Sequence, residues 1–122
     1  MKNVYKIIMA FALLFSIGHA AVSVEAFTCN SMSGTVVVEN GDTFTCQATI
    51  KNEDTQNAVN IGSVLLLVNG NWAESTTYTG SDFSTTVSAG ASTTATFSGI
   101  KAISPGATNK FQSIQVDSSS DT

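Results

Sequence analysis

The chain has 122 residues, five basic against nine acidic, and a formal net charge of −4. Only 11% of the residues are charged while 43% are hydrophobic, so solubility rests on uncharged polar side chains, chiefly 16 Ser and 16 Thr. The length suits one domain, and the lack of a basic cluster argues against nucleic acid or anionic lipid, which bind Lys/Arg stripes.

In chain order, residues 1–26 read as a signal peptide. Lys2 and Lys6 provide a positive start, and residues 7–17 form an apolar run of 11, the usual length of a signal h-region. Two small-residue cleavage sites follow. One is Gly18-His19-Ala20, cut before Ala21; the other is Val24-Glu25-Ala26, cut before Phe27. The second leaves a polar, β-rich remainder and is preferred. An uncleaved membrane anchor competes, because Val22 and Val24 extend the apolar stretch to about 18 residues. His19, Gly18 and Ser23 weaken that anchor. Both readings expect an N-terminal signal helix and a remainder outside the cytoplasm, secreted or at the cell surface.

Beyond residue 26 there are 96 residues with three Lys, eight acidic residues, no Arg and no His. Histidine is the commonest general acid/base and metal ligand. Its absence excludes Ser-His-Asp and Cys-His catalysis and His-based zinc sites. Cys29 and Cys46 both remain, and an even count in an exported chain predicts one disulfide. The loop it closes makes it worth roughly 3 kcal/mol. Redox pairs favour closer spacing, and two thiolates alone do not complete a zinc tetrahedron.

The remainder is patterned with period two. Residues 34–39 (GTVVVE) read as extended, and Asn40-Gly41-Asp42 as a turn. In residues 43–51, Phe44, Cys46, Ala48 and Ile50 share one face, while Thr43, Thr45, Gln47, Thr49 and Lys51 share the other. That is a half-buried strand with Cys46 pointing inward. Residues 61–68 (IGSVLLLV) are too apolar for a strand with a wet face and suit a central one. Asn69-Gly70 is a hairpin signal that returns the chain through Trp72. Phe83, Thr85 and Val87 alternate again. Ala89-Gly90 turns into a strand at 93–97, Ser104-Pro105-Gly106 punctuates, and 111–116 is the last strand. About seven short strands predict an all-β, immunoglobulin-like antiparallel β-sandwich over residues 27–117, with 118–122 a frayed polar tail.

Several of these segments resemble a known family. Residues 41–52 (GDTFTCQATIKN), 65–70 (LLLVNG), 87–97 (VSAGASTTATF), and Pro105-Gly106 followed by 111–117 are similar to CARDB modules, the cell adhesion related domain found in bacteria. The resemblance spans residues 33–117 and implies an extracellular immunoglobulin-like sandwich with no catalytic residues to carry over. The Cys29 and Cys46 pair departs from the family's usual pattern.

Candidate sites are few. Glu39, Asp42, Glu53 and Asp54 sit in turns flanking the long strand and are the acid/base candidates; converging at one end, they could serve a glycosidase pair or calcium. The plainer reading is solvated turns, so no catalytic residue, metal or cofactor is expected. Trp72 and Tyr78, with Phe83 beyond them, could stack on sugars if exposed; otherwise Trp72 covers an edge of the core. The function expected is a non-enzymatic adhesion or surface-structural module that meets a protein or glycan. One alternative is a carbohydrate- or calcium-binding module. Another is a subunit assembling by β-strand addition, with residues 27–38 as donor.

Overall fold

A computed structural model describes residues 4–8, 13–17, 22–31, 35–39, 41–69, 72–103 and 111–120. Ten strands follow in chain order: β1 (Val4–Ile8), β2 (Leu13–Ile17), β3 (Val22–Cys29), β4 (Thr35–Glu39), β5 (Thr43–Asn52), β6 (Val59–Asn69), β7 (Thr77–Thr79), β8 (Thr86–Val87), β9 (Ser92–Lys101) and β10 (Phe111–Ser120). One sheet has the order β3-β5-β9. A second runs β2-β10-β6-β7, with β8 also on β6, and β4 forms a third, two-stranded sheet with β1. All pairings are antiparallel except that of β10 with β2, which is parallel.

The two larger sheets bury one common core. From β5 it takes Phe44, Cys46, Ala48 and Ile50; from β9, Ala95, Phe97 and Ile100. Facing them are Val64, Leu66 and Val68 of β6 and Ile114 and Val116 of β10. The alternation in residues 43–51 is therefore realised side chain by side chain. Thr43, Thr45 and Gln47 are exposed on the opposite face. The turn before β5 uses Gly41 at φ +86°, a left-handed conformation that glycine adopts without steric cost.

In β6 the inward row changes phase, from Val59 and Ile61 to Val64, Leu66 and Val68. A one-residue slip sends every later side chain to the other face, and here a bulge absorbs it. The register against β10 shifts between Asp117 and Ser118. As a central strand β6 keeps Leu65 and Leu67 half-buried on its outer side, which accounts for its nearly unbroken apolar run.

The structure departs from the sequence-based expectations at four places. First, the N-terminal segment expected as a signal helix forms β1 and β2, each lying along a sheet edge. Pairing with β4 and β10 gives the backbone groups of this apolar segment hydrogen-bond partners. Among the described residues no helix is long and apolar enough to cross a membrane. Second, β3 begins at Val22, inside the segment read as leader, and pairs with β5 from Val22↔Asn52 to Cys29↔Cys46. Third, the chain does not return through Trp72 as a tight hairpin. Residues 72–74 instead bond to the end of β9, with Ile103 N–H donating to Trp72 O (3.1 Å) and Glu74 N–H to Lys101 O (2.9 Å). The pairing with β6 starts only at Thr77. Fourth, the polar end expected to fray stays in β10 to Ser120, because Ser118, Ser119 and Ser120 pair with Ile61, Asn60 and Val59.

Gly80 marks where the chain passes from one sheet to the other. Its N–H donates to Val64 O (2.7 Å), and the next residue, Ser81, exchanges two backbone hydrogen bonds with Thr96. A Cβ at position 80 would lie 2.9 Å from Val64 O and 3.1 Å from both Ala95 Cβ and Phe97 Cε1. Gly80→Ala is therefore expected to destabilise by about 1–3 kcal/mol through overpacking. Chemical denaturation measures it, and an unchanged midpoint would contradict the close approach.

Candidate functional site

Cys29 and Cys46 are direct ladder partners, and their sulfurs are bonded. Both residues are fully buried. Where β3 ends at this bridge, Asn30 and Ser31 take left-handed φ values of 48° and 63°. Asparagine tolerates that region better than most residues, and Asn30 is held there at two points. Its N–H donates to Thr45 O (2.8 Å), and its Oδ1 accepts from Thr45 N–H (3.3 Å).

Beside this corner lies a shallow depression of about 270 Å³ lined by Thr28, Asn30, Ser31, Thr45 and Gln47. It opens onto the outer face of the β3-β5-β9 sheet. The register sets Gln47 opposite Thr96 and Thr49 opposite Thr94. The Thr49 and Thr94 hydroxyls share a hydrogen bond of 3.1 Å, and Gln47 Nε2 donates to Thr96 Oγ1 at 3.5 Å. This face offers hydroxyl and amide groups that both donate and accept without titrating near neutrality. It suits recognition through hydrogen bonds.

The four turn carboxylates do not converge. Glu39 and Asp42 precede β5 and Glu53 and Asp54 follow it, so ten residues of strand hold the pairs roughly 30 Å apart. Among the described residues no three His, Cys, Asp or Glu side chains form a cluster able to hold a metal ion. Asp54 instead organises its own turn. Its carboxylate accepts from Gln56 N–H (2.8 Å), Asn57 N–H (3.0 Å) and Asn57 Nδ2 (3.3 Å). These bonds, that from Gln56 first, hold its pKa below the ordinary aspartate value.

The inward row of β5 ends in a polar residue, Asn52, only 1% exposed. Its Nδ2 donates to Asn57 O (2.9 Å), Val87 O (3.2 Å) and Ser88 O (3.3 Å), and its Oδ1 accepts from Asp54 N–H (2.9 Å). One side chain thus rivets the turn after β5 to the turn before β9.

Trp72, considered for sugar stacking, is 1% exposed. Its ring stacks on Phe44, with centroids 6.2 Å apart and planes at 24°. It presents no face to solvent, and its indole Nε1 has no hydrogen-bond partner among the described residues. Tyr78 is half-buried in β7, its hydroxyl accepting from Ser75 N–H at 3.2 Å. Phe83 packs partly buried against the core. The sequence reading did not identify the hydroxyl face. The Thr alternation in residues 43–49 was visible, but its pairing with Thr94 and Thr96 depends on register.

Asn52→Ala is expected to cost about 2–4 kcal/mol, since it strands the carbonyls that the amide satisfies. Asn52→Asp should cost more at neutral pH, because a carboxylate cannot donate to them. Denaturation midpoints of both variants check this, and a neutral Asn52→Ala would refute the rivet. Asp54 has a folded pKa below its unfolded one, so its stabilising contribution is full above the ordinary aspartate range. The contribution is lost as pH falls through the lowered folded value. A carboxyl titration followed by NMR should show a midpoint below the usual one, and an ordinary midpoint would remove the turn's electrostatic role.

No family model matches the chain, and no curated protein or solved structure matches it either.

Proposed function

We propose that this chain is an exported, non-enzymatic β-sandwich module of immunoglobulin-like type, similar to CARDB modules, that presents its faces and edges to a protein or glycan at the cell surface. The observation carrying this reading is the buried Cys29–Cys46 bridge. Disulfides form and persist in oxidising compartments, and this one joins the first strand of the sandwich to its neighbour. The pairing order supports the immunoglobulin-like part. On this reading the β3-β5-β9 sheet takes the places of strands A, B and E, and the β6–β10 pair those of C and F. The uncharged Thr, Gln and Asn face supplies the contact surface, in adhesion or in a surface structure.

Residues 1–20 or 1–26 are the export signal. The ladder from Val22 onward and the hydrogen bonds Ser23 Oγ to Glu53 and Ser92 Oγ to Glu25 support the cut before Ala21. That cut keeps β3 whole, whereas a cut before Phe27 leaves only its last three residues.

Expression with export gives the test. The intact mass should correspond to a chain beginning at Ala21 or Phe27 and two hydrogens lighter than its reduced form. Recovery of the whole chain with two reactive thiols would remove the export reading. Immobilised exported chain should then capture glycans or surface proteins, and Thr45→Lys with Gln47→Lys should weaken that capture while leaving the near-ultraviolet spectrum of Trp72 unchanged.

A further inference from the structure

A sheet edge carries a row of backbone donors and acceptors that another strand can take up, so folded proteins guard their edges. Most edges of this molecule are guarded. The register of β3 is broken between Val24 and Ala26, beside the exposed carboxylate of Glu25. The outer side of β9 is bonded by residues 72–74 and by Ser81. The strands β7 and β8 have only three and two residues.

The outer edge of β10 is different. Residues 113–117 (SIQVD) contain no Lys, Pro or Gly, and β2 covers them in parallel register, from Ser113↔Leu13 to Asp117↔Ile17. Asp117, the last residue under that cover, is exposed, and beyond it β10 continues through Ser118, Ser119 and Ser120. In an immunoglobulin-like sandwich the place beside strand F belongs to strand G; here Leu13–Ile17 occupies it. The other N-terminal strand, β1, is the strand partner of β4. Both covering strands lie within residues 1–20, so the inference rests on the export reading: one cleavage, at either site, uncovers both edges.

We propose that removal of the leader exposes two matching strand edges, Thr35–Glu39 and residues 113–117, through which copies of this chain add to one another edge to edge. Each edge is five residues long, the span of the cover it loses. Thr35–Glu39 reads TVVVE, a β-branched segment suited to extended pairing. It stays seated on its own core through the buried Val38. The turn that follows is fixed by Asp42 N–H donating to Glu39 O (3.0 Å) and Gly41 N–H to Ala102 O (2.8 Å). Each copy thus offers β4 in place and releases nothing. This departs from residues 27–38 as a releasable donor, because Phe27, Thr28 and Cys29 are paired with β5 and Cys29 is bridged to Cys46. Two unlike edges make a heterologous contact, which propagates into open chains or closes into rings. While the leader is present it occupies both edges and keeps the precursor monomeric.

The test compares the full chain with the leader-free chain in oxidising buffer by sedimentation over a wide concentration range. The leader-free chain comes from export or, if export leaves the leader in place, from a protease site inserted between Ala20 and Ala21; retention of the leader therefore counts against export alone. The average mass of the leader-free chain should at least double with concentration while the full chain stays monomeric. A synthetic TVVVE peptide flanked by lysines should return it to monomer by capping the β10 edge. Val36→Pro with Val37→Pro should do the same from the β4 side, since neighbouring amides point to opposite sides of a strand and one proline must remove an outward donor. A leader-free chain that stays monomeric overturns the proposal. So does assembly that persists with the peptide present, or a full chain that assembles equally.

Discussion

The architecture depends on one constraint, the strict alternation along β5. With β3 on one side and β9 on the other, β5 is a central strand, and its buried side chains alternate with exposed or half-buried ones. Phe44, Cys46, Ala48 and Ile50 enter the core, where burial of a side chain the size of Phe44 or Ile50 stabilises by roughly 1.5–3 kcal/mol relative to exposure. Phe44 gives Trp72 its stacking surface, Cys46 anchors β3, and Asn52 closes the row by pinning two turns. A shift of one residue in β5 would move all of these to the wrong face.

The same alternation produces the outer face. Because the inward places are taken by apolar residues, the Thr and Gln side chains of β5 point outward together and meet those of β9 in register. Of the carboxylates flanking β5, Glu39 and Asp42 lie before it and Glu53 and Asp54 after it, at opposite ends of the strand. The outer face of β5 and β9 therefore carries neutral hydrogen-bonding groups. Asp54 shows what a turn does with a carboxylate, which organises backbone amides two and three residues ahead of it.

Edges are the second theme. Bulges, short strands and a crossing segment close most of them, and the N-terminal strands close the rest. The apolar N-terminal segment thereby covers two strands, β1 lying on β4 and β2 on β10. Disulfide and cover act at different points of the first strands. The bridge holds β3 by a covalent bond, whereas β1 and β2 are held through strand pairing.

Much of the fold was legible in the sequence. Period two set the all-β class, the residues of β5 and their inward set, and the central character of β6; even cysteine count set the bridge. The path around Trp72 was less accessible, because an Asn-Gly signal reports local turn preference, while the ring's burial against Phe44 draws the following residues across to β9. The extension of β10 to Ser120 was hidden by its polar composition, which says nothing about the partners that Val59, Asn60 and Ile61 supply. Gly80 and the Thr49–Thr94 contact were likewise invisible, since they join residues far apart in the chain. Taken alone, the sequence determined which side chains must hide from water and which backbone turns are cheap, because those are properties of neighbours along the chain. Only the tertiary structure decided register, edge cover and the separation of the carboxylates, because these depend on which strands lie side by side, and local periodicity carries no record of that.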